Sequence, residues 1–194
     1  MMPFPDYLRQ ATAQAHAKLE LKPLLKHLFN AEATRSDYTC LLQVMYGFYR
    51  DHERAIQHFL VNYPSPLNDS KRWKTPWLQQ DLQALIGHLP ELDPMSVQIS
   101  TLAEFVGEVY VLEGSTLGGQ HIAGFLRQQH PDWPIRFFTG YGALTRQYWQ
   151  MFWEAVADQC PPDAWPHAAE RACWVFNDLA QRLAAKSLSQ NSNN

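Results

Sequence analysis

The sequence predicts an all-α, single-domain helical bundle, and three observations support this. Apolar residues recur at intervals of three and four along most of the 194 residues, and no run alternates as a half-buried strand would. The 46% of hydrophobic residues, including seven Trp, can form one core without a disulfide or metal. No repeat or long linker divides the chain, so we expect one domain over 1–186 and a disordered polar tail at 187–194.

Two helices are predicted in the first third of the chain. The first covers about 5–20, with a proline in its first turn and another soon after its end. A long helix then reaches about residue 61, where a Pro-Ser-Pro sequence ends it. Ser36 or Asp37 is the expected N-cap of this second helix.

The middle of the chain predicts a short helix, a loop and a long helix. Thr75, followed by proline, is the expected N-cap of a helix over about 75–88. Residues 90–100 lack periodicity and form a loop. Thr101 and the glutamate three positions later form a capping box, which opens a helix over about 101–129.

Two more helices complete the bundle. Prolines at 131–134 interrupt the chain, and apolar periodicity returns over about 141–159. After two further prolines, Asp163 is the expected N-cap of a last helix that reaches about residue 186.

Charge and composition exclude several classes of protein. A net charge of −3 argues against nucleic acid or an anionic membrane surface as the main partner. No apolar run approaches the ~20 residues of a spanning helix, and no secretory signal is visible. Three scattered cysteines suit a reducing compartment. We therefore expect a soluble cytoplasmic protein.

The helix over 101–129 is unusually rich in glycine. Gly114, Gly118, Gly119 and Gly124 each cost about 1 kcal/mol relative to alanine in a helix interior. Glycine is kept where backbone must approach a neighbour closely or where a helix bends. Because Gly114 and Gly118 share one face, they form either a groove for a neighbouring helix or a bare surface for a flat ligand.

His16 is the candidate metal ligand of the first helix. It lies at the margin of the apolar stripe between two alanines, and Glu20 follows one turn later. A carboxylate that accepts the Nδ1 proton leaves Nε2 free, which is the usual arrangement of a metal-ligating histidine. A hydrogen-bonded structural histidine is the alternative. A helical diiron site is excluded, since no glutamate is followed three residues later by histidine.

Two segments together resemble the heme oxygenase family. They are LRQATAQAHAKLE, at 8–20, and YVLEGSTLGGQHI, at 110–122. The first matches the family pattern LR-x-x-T-x-x-x-H-x-x-x-E, and a glycine-rich distal helix follows about 100 residues later. FFTGYGALTRQYW, at 137–149, and the terminal helix are also similar, especially to bacterial members associated with bacteriophytochromes.

The resemblance implies a role for particular residues. Heme would lie between the first helix and the glycine-rich helix, with His16 as proximal iron ligand and Glu20 orienting its imidazole. Arg9 and Tyr110 would contact the heme propionates. The distal, catalytic positions would be Gly114, Ser115 and Gly118, and the remaining heme-binding residues Thr12, Gly119 and Phe176.

The resemblance also implies a reaction and partners. Heme would be both cofactor and substrate, cleaved by O2 and external electrons to biliverdin, CO and ferrous iron. A ferredoxin or an NADPH-dependent reductase would supply the electrons, and a bacteriophytochrome would accept the product. Ser115 stands where mammalian members carry aspartate, and Ala13 replaces a basic residue near the propionates. The first departure concerns proton delivery, and the second concerns the in-plane rotation of the heme.

Two other functions remain open. A heme carrier or sensor would keep His16 without turnover, and a thiaminase-like scaffold would bind a different small molecule. His121 is assigned a structural or surface role. The basic segment 71–74 is interpreted as a solvated loop, with docking of an acidic ferredoxin as the alternative.

Overall fold

The computed structural model describes residues 2–29, 32–156 and 159–191, with side chains up to residue 186. Within these ranges the chain forms helices and loops and no strand, as predicted. None of the described helices is long and apolar enough to cross a membrane. The α-helices are α1 (Phe4–Glu20), α2 (Pro23–His27), α3 (Arg35–Asn62), α4 (Thr75–Ile86), α5 (Leu102–Gln129), α6 (Arg136–Thr139), α7 (Thr145–Val156) and α8 (Trp165–Asn191).

The N-cap of α3 lies two residues before Ser36 and three before Asp37, the two predicted caps. Thr34 is its N-cap, and Asp37 is the capping-box partner three positions later rather than the cap itself. The Thr34 hydroxyl accepts a 3.1 Å hydrogen bond from the Asp37 N–H, and the Asp37 carboxylate accepts one from the Thr34 N–H. The capping box therefore begins at the hydroxyl that lies three residues before the acid.

The cap of α4 comes from another helix. Lys74 occupies the N-cap position, and Thr75 is already the first helical residue, so the predicted Thr75 cap is wrong. The carboxylate of Glu53, on α3, accepts hydrogen bonds from the N–H groups of both Lys74 and Thr75. By contrast, the predicted capping box of α5 is confirmed, with a 3.2 Å bond from the Glu104 N–H to the Thr101 hydroxyl.

The bounds of α7 and α8 also differ from the prediction. Gly140 and Gly142 adopt φ of +53° and +59°, so the regular helix begins only at 145. Asp163 lies in the 3-10 turn Pro162–Ala164, which precedes α8. The helix continues to Asn191, because no glycine or proline interrupts 187–191. The last residues of the predicted tail, 192–194, lie outside the described residues.

The central contact of the bundle joins α5 and α8, which cross at Gly107. A Cβ at Gly107 would overlap the backbone carbonyl of Ala168 and lie 2.9 Å from the Cβ of Arg171. This glycine allows the two helix backbones to approach closely. α8 also packs along α1, and α3 packs against α4, α5 and α8. The arrangement leaves a gap between α1 and α5.

Candidate functional site

A cavity of about 750 Å³ lies between α1 and α2 on one side and α5 on the other. Its volume is within the usual range of small-molecule sites, roughly 300–1,000 Å³. Residues of α3, α6, α7 and α8 complete the walls. The predicted site residues that border the cavity are Arg9, His16, Glu20, Tyr110, Gly114, Ser115, Gly118, Gly119 and Phe176.

Thr12 is the predicted site residue that does not border the cavity. Its side chain is buried, with 2% of the residue exposed, and its hydroxyl donates a 2.7 Å hydrogen bond to the Leu8 carbonyl. The same oxygen lies 3.5 Å from the Tyr110 hydroxyl. Thr12 therefore lies behind the wall, where it contacts a lining residue rather than the cavity.

His16 and Glu20 have the relationship that their spacing predicts. The Nδ1 atom of His16 lies 3.5 Å from Oε1 of Glu20, and the His16 side chain is 54% exposed. Its ring packs edge-on against Phe176, at 5.3 Å between centroids. No described residue forms a hydrogen bond or ion pair with Nε2 of His16. The histidine thus has one ring nitrogen beside a carboxylate and the other available to a ligand.

The glycines of α5 serve different purposes. A Cβ at Gly118 would meet nothing within 4 Å, whereas one at Gly114 would touch the Trp149 ring at 3.6 Å. A Cβ at Gly119 would lie only 3.2 Å from the Phe138 carbonyl oxygen. Gly119 is therefore the residue that allows α6 to approach. Gly118 instead exposes bare backbone to open space, which suits a flat ligand better than a neighbouring helix.

Ser115, on the same helix, is joined to Tyr49 of α3. The Tyr49 phenol donates a 2.7 Å hydrogen bond to the Ser115 hydroxyl, which donates at 2.7 Å to the Leu112 carbonyl. Both residues border the cavity. Burial raises the pKa of Tyr49 well above its usual value, so the phenol stays protonated. No sequence motif points to Tyr49, because it lies in the apolar stripe of α3 like any packed aromatic residue.

Two of the basic residues predicted to be solvated are buried. Arg72 is 3% and Lys74 2% exposed, so the solvated-loop interpretation of 71–74 is wrong for both. Arg72 Nη1 donates a 2.6 Å bond to Glu113, and Lys74 Nζ pairs with the other oxygen of the same carboxylate. The Tyr141 hydroxyl also donates to Glu113, at 2.9 Å. Because Lys74 borders the cavity, this network stabilises its wall next to Gly114.

A second buried network centres on His52, which sequence reasoning did not single out. Its two ring nitrogens face Glu108 and Asp178, at 2.9 Å for Nε2 and Asp178 Oδ2. Arg171 pairs with Glu108, and Arg182 pairs with Asp178. Burial alone would lower the pKa of His52, but its hydrogen bonds to the two carboxylates outweigh burial and raise it. The network joins α3, α5 and α8 behind the cavity.

The cavity margin carries two other predicted polar residues. The Arg9 side chain is 79% exposed and pairs with Asp6 at 3.0 Å, and both border the cavity. Tyr110 packs against Trp149 and Trp153, with ring centroids 5.8 and 5.9 Å away. His121, expected to be structural or at the surface, is exposed and also borders the cavity.

Comparison with known families identifies the chain. The family model "Heme oxygenase" matches residues 2–177, so the chain belongs to the heme oxygenase family. A search of curated proteins finds no match.

Solved structures agree with the fold. The heme oxygenase of Leptospira interrogans aligns with a TM-score of 0.77 at 15% identity, covering 95% of this chain and 100% of that one. Heme oxygenase-1 of the cyanobacterium Synechocystis, in complex with heme, gives 0.75 at 16% identity and full coverage of both chains. The NO- and CO-bound heme oxygenase of Neisseria meningitidis gives 0.75 at 17%, covering 96% and 92%. The predicted all-α, heme oxygenase-like fold is confirmed.

Proposed function

We propose that this protein is a heme oxygenase that cleaves heme to biliverdin, CO and ferrous iron, using O2 and external electrons. One observation carries the proposal. A cavity of about 750 Å³ is bordered both by His16 of α1 and by the bare backbone of Gly114 and Gly118 of α5. Membership of the heme oxygenase family supports the same reaction.

The residues present fit a heme. A single free imidazole nitrogen suits a metal whose other ligands are supplied by a macrocycle. The open space above Gly118 admits a flat molecule against helix backbone. When bound, heme supplies both the iron that activates oxygen and the carbon skeleton that is oxidised.

The proximal residues are those that would bind the iron and orient the imidazole of His16. Nε2 of His16 would hold the iron, and the Glu20 carboxylate, 3.5 Å from Nδ1, would favour a proton on that nitrogen and so orient the ring. Phe176 packs against the imidazole and limits its rotation. Arg9 and Tyr110 border the end of the cavity at which the family resemblance places the propionates.

The distal residues leave space for O2 and position hydroxyl protons on the cavity wall. Gly114 and Gly118 leave room for O2, because neither carries a side chain on the cavity wall. The hydroxyls of Tyr49 and Ser115 hold a proton on that wall and replace the carboxylate that mammalian members carry at the serine position. The Glu113 network holds the neighbouring turn of α5 in place.

Electrons come, in this proposal, from a ferredoxin or an NADPH-dependent reductase, and a bacteriophytochrome accepts the biliverdin. The half-exposed His16 supports direct access for a reductant, since it brings the iron site close to the surface. The cysteines Cys40, Cys160 and Cys173 are all free, which suits a reducing cytoplasm.

The test is an absorption spectrum with one equivalent of hemin, before and after a reductant is added in air. We expect a sharp Soret band that gives way to biliverdin absorption in the wild type, and neither in His16→Ala. His58→Ala, an exposed histidine on α3, is the matched control and should behave as wild type. A Soret band that persists under reductant would indicate a carrier or sensor. Unchanged hemin binding in His16→Ala would instead favour a scaffold for another molecule.

A further inference from the structure

A second, much smaller cavity lies between α3, α5 and the segment 67–74 that joins α3 to α4. Its volume is about 20 Å³. A cavity needs roughly 10–15 Å³ to hold one water molecule, so this one has room for a single water molecule. Of the described residues that line it, only Lys74 also borders the large cavity. The small cavity is therefore a separate feature, which the proposed function does not explain.

Arg72 borders the small cavity and carries hydrogen-bond donors that no described residue accepts. Its side chain is 4% exposed, and its Nη1 donates to Glu113 at 2.6 Å. Its Nε and Nη2 are both buried and have no hydrogen-bond partner among the described residues. The Tyr148 ring lies against a face of the guanidinium, at 4.9 Å, and leaves its edge, where the N–H groups point, for another group. Because buried donors are almost always matched in folded proteins, we expect an acceptor beside this edge.

Two carboxylates line the same cavity and can accept further hydrogen bonds. Glu53 accepts one backbone N–H at each oxygen, from Lys74 and from Thr75. Glu113 accepts from the side chains of Arg72, Lys74 and Tyr141. An ionised carboxylate has about four acceptor positions, so each of the two keeps free lone pairs. A small molecule in the cavity that both accepts and donates can therefore join the guanidinium edge to a carboxylate.

The charges around the small cavity favour a neutral occupant. Arg72 and Lys74 each contribute one positive charge to its lining, and Glu53 and Glu113 each contribute one negative charge. An anion placed here would be repelled by two carboxylates, and a cation by the guanidinium and the ammonium group. A water molecule carries no charge, fits the volume, and can accept from Arg72 while it donates to a carboxylate.

We propose that this cavity is a binding site for one water molecule, which accepts a hydrogen bond from Arg72 and donates one to Glu53. The inference goes beyond the proposed function and does not depend on it. Glu53 caps α4, and Arg72 holds Glu113 on the turn of α5 that precedes Gly114. The water molecule adds a second link between these two carboxylate networks, beside the link that Lys74 makes.

The first test is a crystal structure of the wild-type protein without heme, together with a second crystal soaked in bromide. We expect a water-sized density peak within hydrogen-bonding distance of Arg72 and Glu53, and no anomalous bromide signal there. Val109→Ile adds one methylene group at a residue that borders the cavity and should remove the peak. Val106→Ile, buried in the same helix but not bordering the cavity, is the matched control and should keep it. A bromide signal at this position, or no peak in the wild type, would overturn the inference.

A double-mutant cycle provides a second test, which needs no crystal. If Val109→Ile expels the water molecule, the donors of Arg72 lose their acceptor, and the Tm of the protein without heme should fall by roughly 2–10 °C. In an Arg72→Met background those donors are absent, so the same substitution at Val109 should lower the Tm much less. Equal losses in the two backgrounds would show that Val109→Ile acts by overpacking alone, and would overturn the inference.

Discussion

The phenol of Tyr49 donates a 2.7 Å hydrogen bond to the hydroxyl of Ser115, and so links α3 to the glycine-rich helix at the cavity wall. The Ser115 hydroxyl uses its own hydrogen on the Leu112 carbonyl. The orientation of both hydroxyl hydrogens is therefore defined by this chain of hydrogen bonds. The hydroxyl of a serine without such a partner would not be oriented in this way.

Removal of either hydroxyl should slow turnover without preventing heme binding. We expect Tyr49→Phe and Ser115→Ala to bind hemin within about threefold of wild type and to lose about 1 kcal/mol of folding stability each, the usual value of one hydrogen bond. Biliverdin formation should fall in both, because the wall has lost its positioned proton. The double variant should lose little more than either single variant, since the two groups act as one unit. Additive losses of rate would show that they act separately.

Gly118 and Gly119 should respond oppositely to alanine. Gly118→Ala should gain up to about 1 kcal/mol of stability, because its new methyl group enters open space and the helix gains propensity. Gly119→Ala should lose about 1 kcal/mol or more, since its methyl group would press on the Phe138 carbonyl. That segment cannot easily move, because Asp81 accepts hydrogen bonds at 2.8 Å from the N–H groups of Arg136 and Phe137. Thermal unfolding of the unliganded variants distinguishes the two.

A larger residue at Gly118 should separate binding from turnover. Gly118→Leu is expected to fold as wild type and to retain a Soret band, but to suppress ring opening, since its side chain fills the space for O2. Gly124→Leu, on the same helix and with nothing within 4 Å of its Cβ, is the control. Normal turnover by Gly118→Leu would refute the role assigned to this glycine.

Glu20 should affect the strength of the iron–histidine bond, whereas His16 itself is needed to form that bond. In Glu20→Gln, the partner of Nδ1 at 3.5 Å loses its charge, so the imidazole becomes a weaker donor to iron. Hemin binding should persist, and the iron–histidine stretching frequency in the resonance Raman spectrum of the reduced complex should fall. Glu91→Gln, an exposed loop residue, should leave this frequency unchanged.

The His52 network should make stability depend on pH in two ranges. The pKa of His52 is raised above its ordinary 6.5, so its stabilisation is complete below pH 6.5 and is lost as pH rises through the folded-state pKa. Burial alone would raise the pKa of Asp178, but hydrogen bonding to His52 and the charge of Arg182 lower it below 3.8. Its stabilisation is therefore present above pH 3.8 and is lost as pH falls through the folded-state pKa.

The variant His52→Gln tests the predicted loss of folding stability as pH rises. At pH 6 we expect a loss of about 3 kcal/mol, as for other broken buried ion pairs, because Glu108 and Asp178 lose their shared partner. The difference from wild type should shrink as pH rises above 6.5, measured by urea unfolding at a series of pH values. A difference that stays constant with pH would show that His52 contributes through packing alone.

The sequence was sufficient for features that depend on neighbours within one or two helical turns. The helix pattern, the Thr101–Glu104 capping box and the approach of His16 to Glu20 follow from spacings of three or four residues. The resemblance to the heme oxygenase family then indicated which of these local features belong to one site. Nine of its ten proposed residues border one cavity, and Thr12 lies behind it.

Only the tertiary structure decided the features that join distant segments. Glu53 caps α4 from 21 residues away, and Asp178 meets His52 across 126 residues. Arg72 and Lys74 look like a solvated loop in the sequence, because their shared partner Glu113 lies on another helix. Gly118 and Gly119 are adjacent in the chain, yet one faces open space and the other a backbone carbonyl. Local spacing determines which face of a helix a residue occupies, whereas packing determines what that face meets.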